Sequence, residues 1–222
     1  MIATISADIV RSTSMETADL LELRRGLRGL LNDLEQVHPG FWARIVRGDG
    51  LECVVPDCRD SLRIAILLKL FVKMRVADIN CSELLQRYGI RFSIAAGDLK
   101  YADKDDDIID GPAIYLSGRN LDEISRKSGG RMSVFELDRE PRSLSDVLDS
   151  YVALVCDLVD SYSAKQAAVV YYKLLGFKEV EISERLGIYQ SSVNVRATNA
   201  QWGLLNMAIK DFENLNYEKL CG

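Results

Sequence analysis

Apolar positions in the first part of the chain switch between the short runs of a strand and the three-to-four spacing of an amphipathic helix. After residue 141 they keep to the helical spacing alone. Residues 2–7, rich in Ile, Ala and Thr and bounded by a polar cluster, predict a buried strand. Leu20, Leu23, Leu27, Leu30, Leu31 and Leu34 then share one side of a helix over residues 15–37, which Pro39 and Gly40 end. Residues 41–46 and 51–55 predict two strands joined at Gly48-Asp49-Gly50, where an Asp-Gly step supplies the positive φ of a tight hairpin. A second amphipathic helix follows over residues 59–76 and a short third one over 82–87, with Gly89 marking the break. Residues 90–96 predict a strand, and the acidic stretch 103–107 a solvated loop. Gly111-Pro112 opens a helix that carries Ile114, Leu116, Leu121 and Ile124 to one side and that Gly129-Gly130 closes; residues 131–137 predict the last strand.

The order β-α-β-β-α-β-α-β predicts an α+β fold, a ferredoxin-like sheet with helices over one face. Helices alone are expected after Asp138-Arg139-Glu140-Pro141, over residues 144–162, 164–175, 179–186 and 191–212. We therefore expect an α+β domain over residues 1–140 and a small all-α domain over 141–222.

With 48% hydrophobic and 27% charged residues among 222, the composition is that of a soluble globular protein and excludes the disordered and coiled-coil classes. A net charge of -5 argues against coating nucleic acid by bulk electrostatics, though it leaves room for a local basic face. No apolar run approaches the ~20 residues of a membrane span, and no basic-then-apolar leader opens the chain, so a cytoplasmic protein is expected. The cysteines, Cys53, Cys58, Cys81, Cys156 and Cys221, are scattered and mostly in apolar surroundings, which suits reduced core thiols. His38, the single histidine, precedes Pro39-Gly40 and lacks the partners of a zinc site or a Ser-His-Asp hydrolase.

Two carboxylates change this picture. Asp8 closes the first strand and Asp49 sits in the hairpin turn, so a hairpin paired beside the first strand would bring them together. Two acids at neighbouring strand ends suit Mg²⁺, which keeps several waters and takes one or two carboxylates plus phosphate oxygens. Each also has a plain reading, Asp49 as a turn residue and Asp8 as the cap of the following helix.

Four segments carry a resemblance. Ser-Ala-Asp-Ile-Val-Arg-Ser-Thr at 6–13 and Val-Arg-Gly-Asp-Gly-Leu-Glu-Cys-Val at 46–54 resemble the two metal motifs of class III nucleotidyl cyclases. Ile-Arg-Phe-Ser-Ile-Ala-Ala-Gly-Asp at 90–98 is similar to their next strand, and Gly-Pro-Ala-Ile-Tyr-Leu-Ser-Gly-Arg-Asn-Leu at 111–121 to their later helix. The resemblance implies a cyclase-type sheet in which Asp8, Asp49 and the backbone carbonyl of Ile9 hold Mg²⁺ or Mn²⁺, with Arg119 stabilising charge on the phosphate. It also shows departures: Tyr115 stands where the family has its transition-state Asn, and Ile45 and Ile108 where it reads the base. A degenerate domain that dimerises and binds a nucleotide without turnover is the expectation. A divergent cyclase using two metal ions on Asp8 and Asp49 is the alternative.

In the tail, residues 179–196 fit a helix-turn-helix template: Ile182, Leu186, Ile188 and Val193 would hold two helices together around Gly187, with small Ser183 at their closest approach. The segment resembles the DNA-reading module of bacterial sigma factors. That implies Gln190, Ser191, Asn194 and Thr198 at base edges and Ser192 and Arg196 near phosphates. From residue 177 onward, five basic residues stand against six acidic ones, a weak footprint for a phosphate-tracking surface. The last helix, with Trp202, Leu204, Leu205, Met207, Ile209 and Phe212, offers apolar surface for a homodimer that would double the contacts. Taken whole, the chain resembles the bacterial SatD family. DNA-binding transcription regulation is the function this sequence leads us to expect.

Overall fold

The computed structural model describes all residues except 47, 78, 127–130, 139–140 and 218–222. The expected helix end at Gly129-Gly130, Arg139 and Glu140 of the expected boundary, Arg47 of the hairpin motif and Cys221 lie outside the described residues.

Five strands form the main sheet: β1 (Ile2–Ile9), β2 (Trp42–Val46), β3 (Gly50–Val55), β4 (Ile90–Gly97) and, at one edge, Ser133–Leu137. Their spatial order is β2-β3-β1-β4 and then the edge strand. The first four are antiparallel, the edge strand is parallel to β4, and β1 lies between β3 and β4. This is the split β-α-β arrangement that the element order predicts. A small hairpin of β5 (Tyr101–Asp103) and β6 (Ile108–Asp110) stands apart, and the edge strand is β7. The acidic stretch at 103–107 is therefore the tip of a hairpin rather than a bare loop. The Asp103 carboxylate organises it by accepting from the amides of Asp105 (2.8 Å) and Asp106 (3.1 Å).

Alternation along β1 decides which face each helix covers. Ala3, Ile5, Ala7 and Ile9 enter the main core with Leu23, Leu27, Leu30 and Leu34 of α1 (Thr17–Val37) and with α2 (Ser61–Arg75). Thr4 and Ser6 face the other way, onto α4 (Pro112–Arg126), the helix that follows a short α3 (Glu83–Tyr88). Thr4 donates to the Ser117 hydroxyl at 3.1 Å, and Ser117 in turn donates to the Ile114 carbonyl at 3.2 Å. Ser6 lies 2.8 Å from the same oxygen. Ile2, Trp42, Val54, Leu99, Ile109 and Ile114 form a second, smaller core on this side. The sheet is thus covered on both faces, which corrects the expectation of helices over one. Thr and Ser read as mere interruptions of an apolar run, but their hydroxyls satisfy one another once Ser117 is laid over them.

The helical tail begins with α5 (Arg142–Asp160) and α6 (Ala164–Leu174). Both pack on α2, whose residues from Leu62 to Lys73 are nearly all buried, because the sheet lies on one side of it and the tail on the other. Phe71 of α2 meets Tyr171 of α6 with ring centroids 5.9 Å apart. Phe135 of β7 meets Phe212 edge-on at 5.5 Å. One hydrophobic cluster runs from Ala3 to Tyr217, so the core is continuous across residue 140.

The expected helix over 191–212 is two helices, α8 (Gln190–Asn199) and α9 (Trp202–Glu213), preceded by α7 (Glu179–Leu186). The break falls at Ala200 and at Gln201, whose backbone is left-handed with φ 51°. No Gly or Pro stands at the break; Ala200 and Leu205, on either side of it, are both fully buried in the main core. On α9, Leu205, Ile209 and Phe212 are committed to the chain's own core, while Leu204 and Met207 stay exposed. Cys53, Cys58 and Cys156 are buried thiols and Cys81 is a half-buried one.

Candidate functional site

Asp8 and Asp49 are neighbours. The register places Asp8 opposite Gly50 on β3 and opposite Arg91 on β4, and the amide of Ile9 donates to the Asp49 carbonyl at 3.3 Å. The hairpin turn that presents Asp49 takes its positive φ at Gly48 (86°), whereas Gly50 begins β3; the expected Asp-Gly geometry is displaced by two residues. Arg11, at φ 53°, turns the chain out of β1 so that the Ser12 hydroxyl donates to the Asp49 carboxylate.

The Asp8 carboxylate is held from a side that sequence did not reveal. Arg91 donates through Nε to Oδ1 at 2.6 Å and through Nη2 to Oδ2 at 2.9 Å, a two-pronged contact with both side chains about four-fifths buried. Burial pushes the Asp8 carboxyl above its ordinary range, the Arg91 guanidinium opposes that rise, and the Asp49 charge adds to it. Asp8 is a strand residue, not a helix cap. Within the chain both acids are already satisfied, Asp8 by Arg91 and Asp49 by Ser12. A divalent ion bound by the pair would share the Asp8 carboxylate with the Arg91 guanidinium, whose positive charge works against it. Among the described residues no group of three or more His, Cys, Asp and Glu could hold one. His38 instead pairs with Asp60 at 3.1 Å.

The other residues expected at this site do not gather there. Arg119 and Tyr115 lie one turn apart on the exposed side of α4. Arg119 borders a depression with Leu116, Glu136, Asp138 and Arg142, and the Tyr115 hydroxyl donates to the Asp110 carboxylate. Ile108 is exposed on β6. Ile45 packs against the main core, on the face of β2 away from Asp8. Its neighbour Arg44 takes the Asp8 face and donates to Glu52 at 2.8 Å. Sequence reasoning missed Arg91, Arg44 and Ser12. The polar alternation of Ile-Arg-Phe-Ser-Ile was the available signal for Arg91, but the register that aims it at Asp8 is a long-range fact.

The second candidate site is built on α7 and α8. Gly187, left-handed at φ 61°, ends α7, and the Ile188 amide donates back to the Ser183 carbonyl at 3.0 Å, closing a three-residue turn. Ile182, Val193 and Ala197 are buried together with Val169 of α6. That packing leaves Gln190, Ser191, Asn194 and Thr198 exposed and Ser192 and Arg196 half-buried. Local charge is largely spoken for: Lys173 pairs with Glu179 at 2.9 Å, and the Arg185 guanidinium lies 4.2 Å from the Phe177 ring centre.

No protein-family model and no curated protein matches the chain. Among solved structures it is similar to the crystal structure of the guanylyl cyclase Cya2. The identity is 12% and the TM-score 0.39, with 55% of this chain and 69% of that one covered. The fold is mixed α+β, and a likeness of that depth says nothing about chemistry. No described helix is long and apolar enough to cross a membrane.

Proposed function

We propose that the chain is a DNA-binding transcriptional regulator in which α7 and α8 form a helix-turn-helix and α8 enters the major groove. The observation that carries this reading is the division of α8. Val193 and Ala197 are buried against α7 and α6, while Gln190, Ser191, Asn194 and Thr198 are exposed with uncharged hydrogen-bonding groups suited to base edges. Ser192 and Arg196, half-buried on α8, would approach phosphates. The sheet acts as a degenerate cyclase-like domain that anchors the tail. Exposed Val147 and Leu154 on α5 and Leu204 and Met207 on α9 supply the surface for a homodimer.

Selection of bound fragments from a genomic library at low salt, followed by gel-shift titration, tests the reading. A discrete enriched site is expected. Gln190→Ala with Asn194→Ala should weaken it by at least tenfold, since each paired base contact is worth about 1–3 kcal/mol. Absence of enrichment, or an enriched site indifferent to the double substitution, refutes it.

A second reading keeps the sheet as a divergent nucleotidyl cyclase holding Mg²⁺ or Mn²⁺ on Asp8 and Asp49. The adjacency of the two acids supports it; the Arg91 clasp opposes it. Incubation with each of the four NTPs and Mn²⁺ decides between them. A cyclic product that vanishes in Asp49→Ala would favour the enzyme.

A further inference from the structure

The seam between sheet and tail holds more positive charge than it balances. Lys69 and Lys73, one turn apart on α2, are 0% and 1% exposed. The Lys69 ammonium donates to the carbonyls of Tyr88 (2.8 Å) and Ile90 (2.9 Å) and pairs with the Asp160 carboxylate at 2.7 Å. Lys73 reaches two neutral carbonyls, those of Arg87 and, at 3.2 Å, Asp160. One carboxylate thus faces two buried ammonium groups, and the helix that carries them is closed in on both sides. A buried charge without a partner is costly, and the ordinary remedies are a counter-ion or loss of the proton.

A cavity of about 490 Å³ opens beside Lys73. Arg87 and Lys165 line it, as do Tyr162, Ser163 and, among the described residues, one acidic residue, Glu83. Tyr162 is 5% exposed, and its hydroxyl is buried with no hydrogen-bond partner, an arrangement that ordinarily destabilises a fold. Ser163 is the N-cap of α6, an eleven-residue helix closed by a capping box with Gln166, so the helix adds its dipole to the same space rather than open amides. Three cationic side chains, the Tyr162 side chain and the N-terminus of α6 border one space where α2 and α3 meet the α5–α6 turn. Their common complement is a small, multiply charged oxyanion, whose oxygens accept hydrogen bonds from the side chains.

We propose that this cavity binds a phosphate group, free or carried by a small phosphomonoester, at the seam between the sheet and the helical tail. Lys73 and Tyr162 form its floor and Arg87 and Lys165 its rim. The site is separate from Asp8 and Asp49 and from the exposed face of α8. It stands or falls without DNA.

The test is calorimetric titration of the full chain with inorganic phosphate at constant ionic strength in a chloride buffer, with acetate and a nucleoside monophosphate as further arms. Saturable phosphate binding is expected, at least tenfold weaker in Arg87→Ala with Lys165→Ala, and several-fold weaker in Tyr162→Phe. Arg126→Ala, on the exposed end of α4, should leave it unchanged. Equal affinity for phosphate and the monophosphate identifies the free ion as the ligand. Tighter binding of the monophosphate identifies the ester. Absence of saturable phosphate binding, binding of acetate in preference to phosphate, or full affinity in the Arg87→Ala, Lys165→Ala protein overturns the proposal. The two rim substitutions lie outside the core, and an unchanged far-ultraviolet circular dichroism spectrum verifies that the fold is intact.

Discussion

Lys73 makes stability depend on pH in a way that can be isolated. Burial and the nearby charges of Lys69 and Arg87 lower its pKa from 10.5 to about 8, against the attraction of Asp160. Between those two values the unfolded chain holds a proton that the folded chain has released, so stability must rise with pH across the window and stay flat below it. The full excursion, 2.5 pH units at about 1.36 kcal/mol each, is roughly 3 kcal/mol. Between pH 8 and 9.5 it is about 2 kcal/mol. Cys53 and Cys156, pushed up to about 12 by burial, act in the opposite direction above pH 9. They are common to wild type and Lys73→Met, and so cancel in the difference. The assay is urea denaturation followed by the fluorescence of Trp42 and Trp202 in a phosphate-free buffer, for both proteins from pH 7 to 9.5. The wild-type midpoint should gain roughly 1 M urea on the variant over that range, for an m-value of about 2 kcal/mol/M. A difference between the two proteins that stays constant from pH 7 to 9.5 would show that Lys73 is not desolvated as described. A bound phosphate should hold the proton on Lys73 and flatten the same difference.

Three other outcomes follow from named contacts. Ser117→Ala removes the oxygen that serves Thr4 and Ser6, and should lower unfolding free energy by about 1–3 kcal/mol in the same assay. Gly187→Val forces a β-branched residue to φ 61° and should cost about 1–2 kcal/mol, visible as a lower thermal midpoint without loss of helix in the folded state. Arg91→Met leaves Asp8 beside Asp49 without its guanidinium. It should lower the thermal midpoint in EDTA by several degrees, and millimolar Mn²⁺ should restore more of that loss than it adds to wild type; equal Mn²⁺ shifts in the two proteins would refute the clasp.

Much of the secondary structure was legible because it depends on periods of two and 3.6 residues. The α7 bounds match the expected ones, and β1 merely runs two residues further, to Ile9. The β5–β6 hairpin, by contrast, turns on local Asp chemistry inside an acidic run that reads equally as a loop, and the break at Gln201 has no Gly or Pro to announce it. Nothing local marks Arg91 and Arg44 as partners of carboxylates; strand pairing aims them at Asp8 and Glu52. Lys69 and Lys73 belong to the second amphipathic helix, where an ordinary reading leaves lysines in solvent, yet both are buried. Their side of the helix is buried because the α3–β4 segment and the end of α5 close over it.

Most of the elements, their order and the α7–α8 turn follow from local hydrophobic periodicity and from Gly187. The sequence by itself also placed Asp8 at a strand end and Asp49 in a turn, within reach of each other. Tertiary structure alone decided that Arg91 would close on Asp8, that Arg119 would lie elsewhere, and that a helix carrying two lysines would be sealed between sheet and tail. Charge balance is a sum over neighbours distant in the chain, and no local pattern records it.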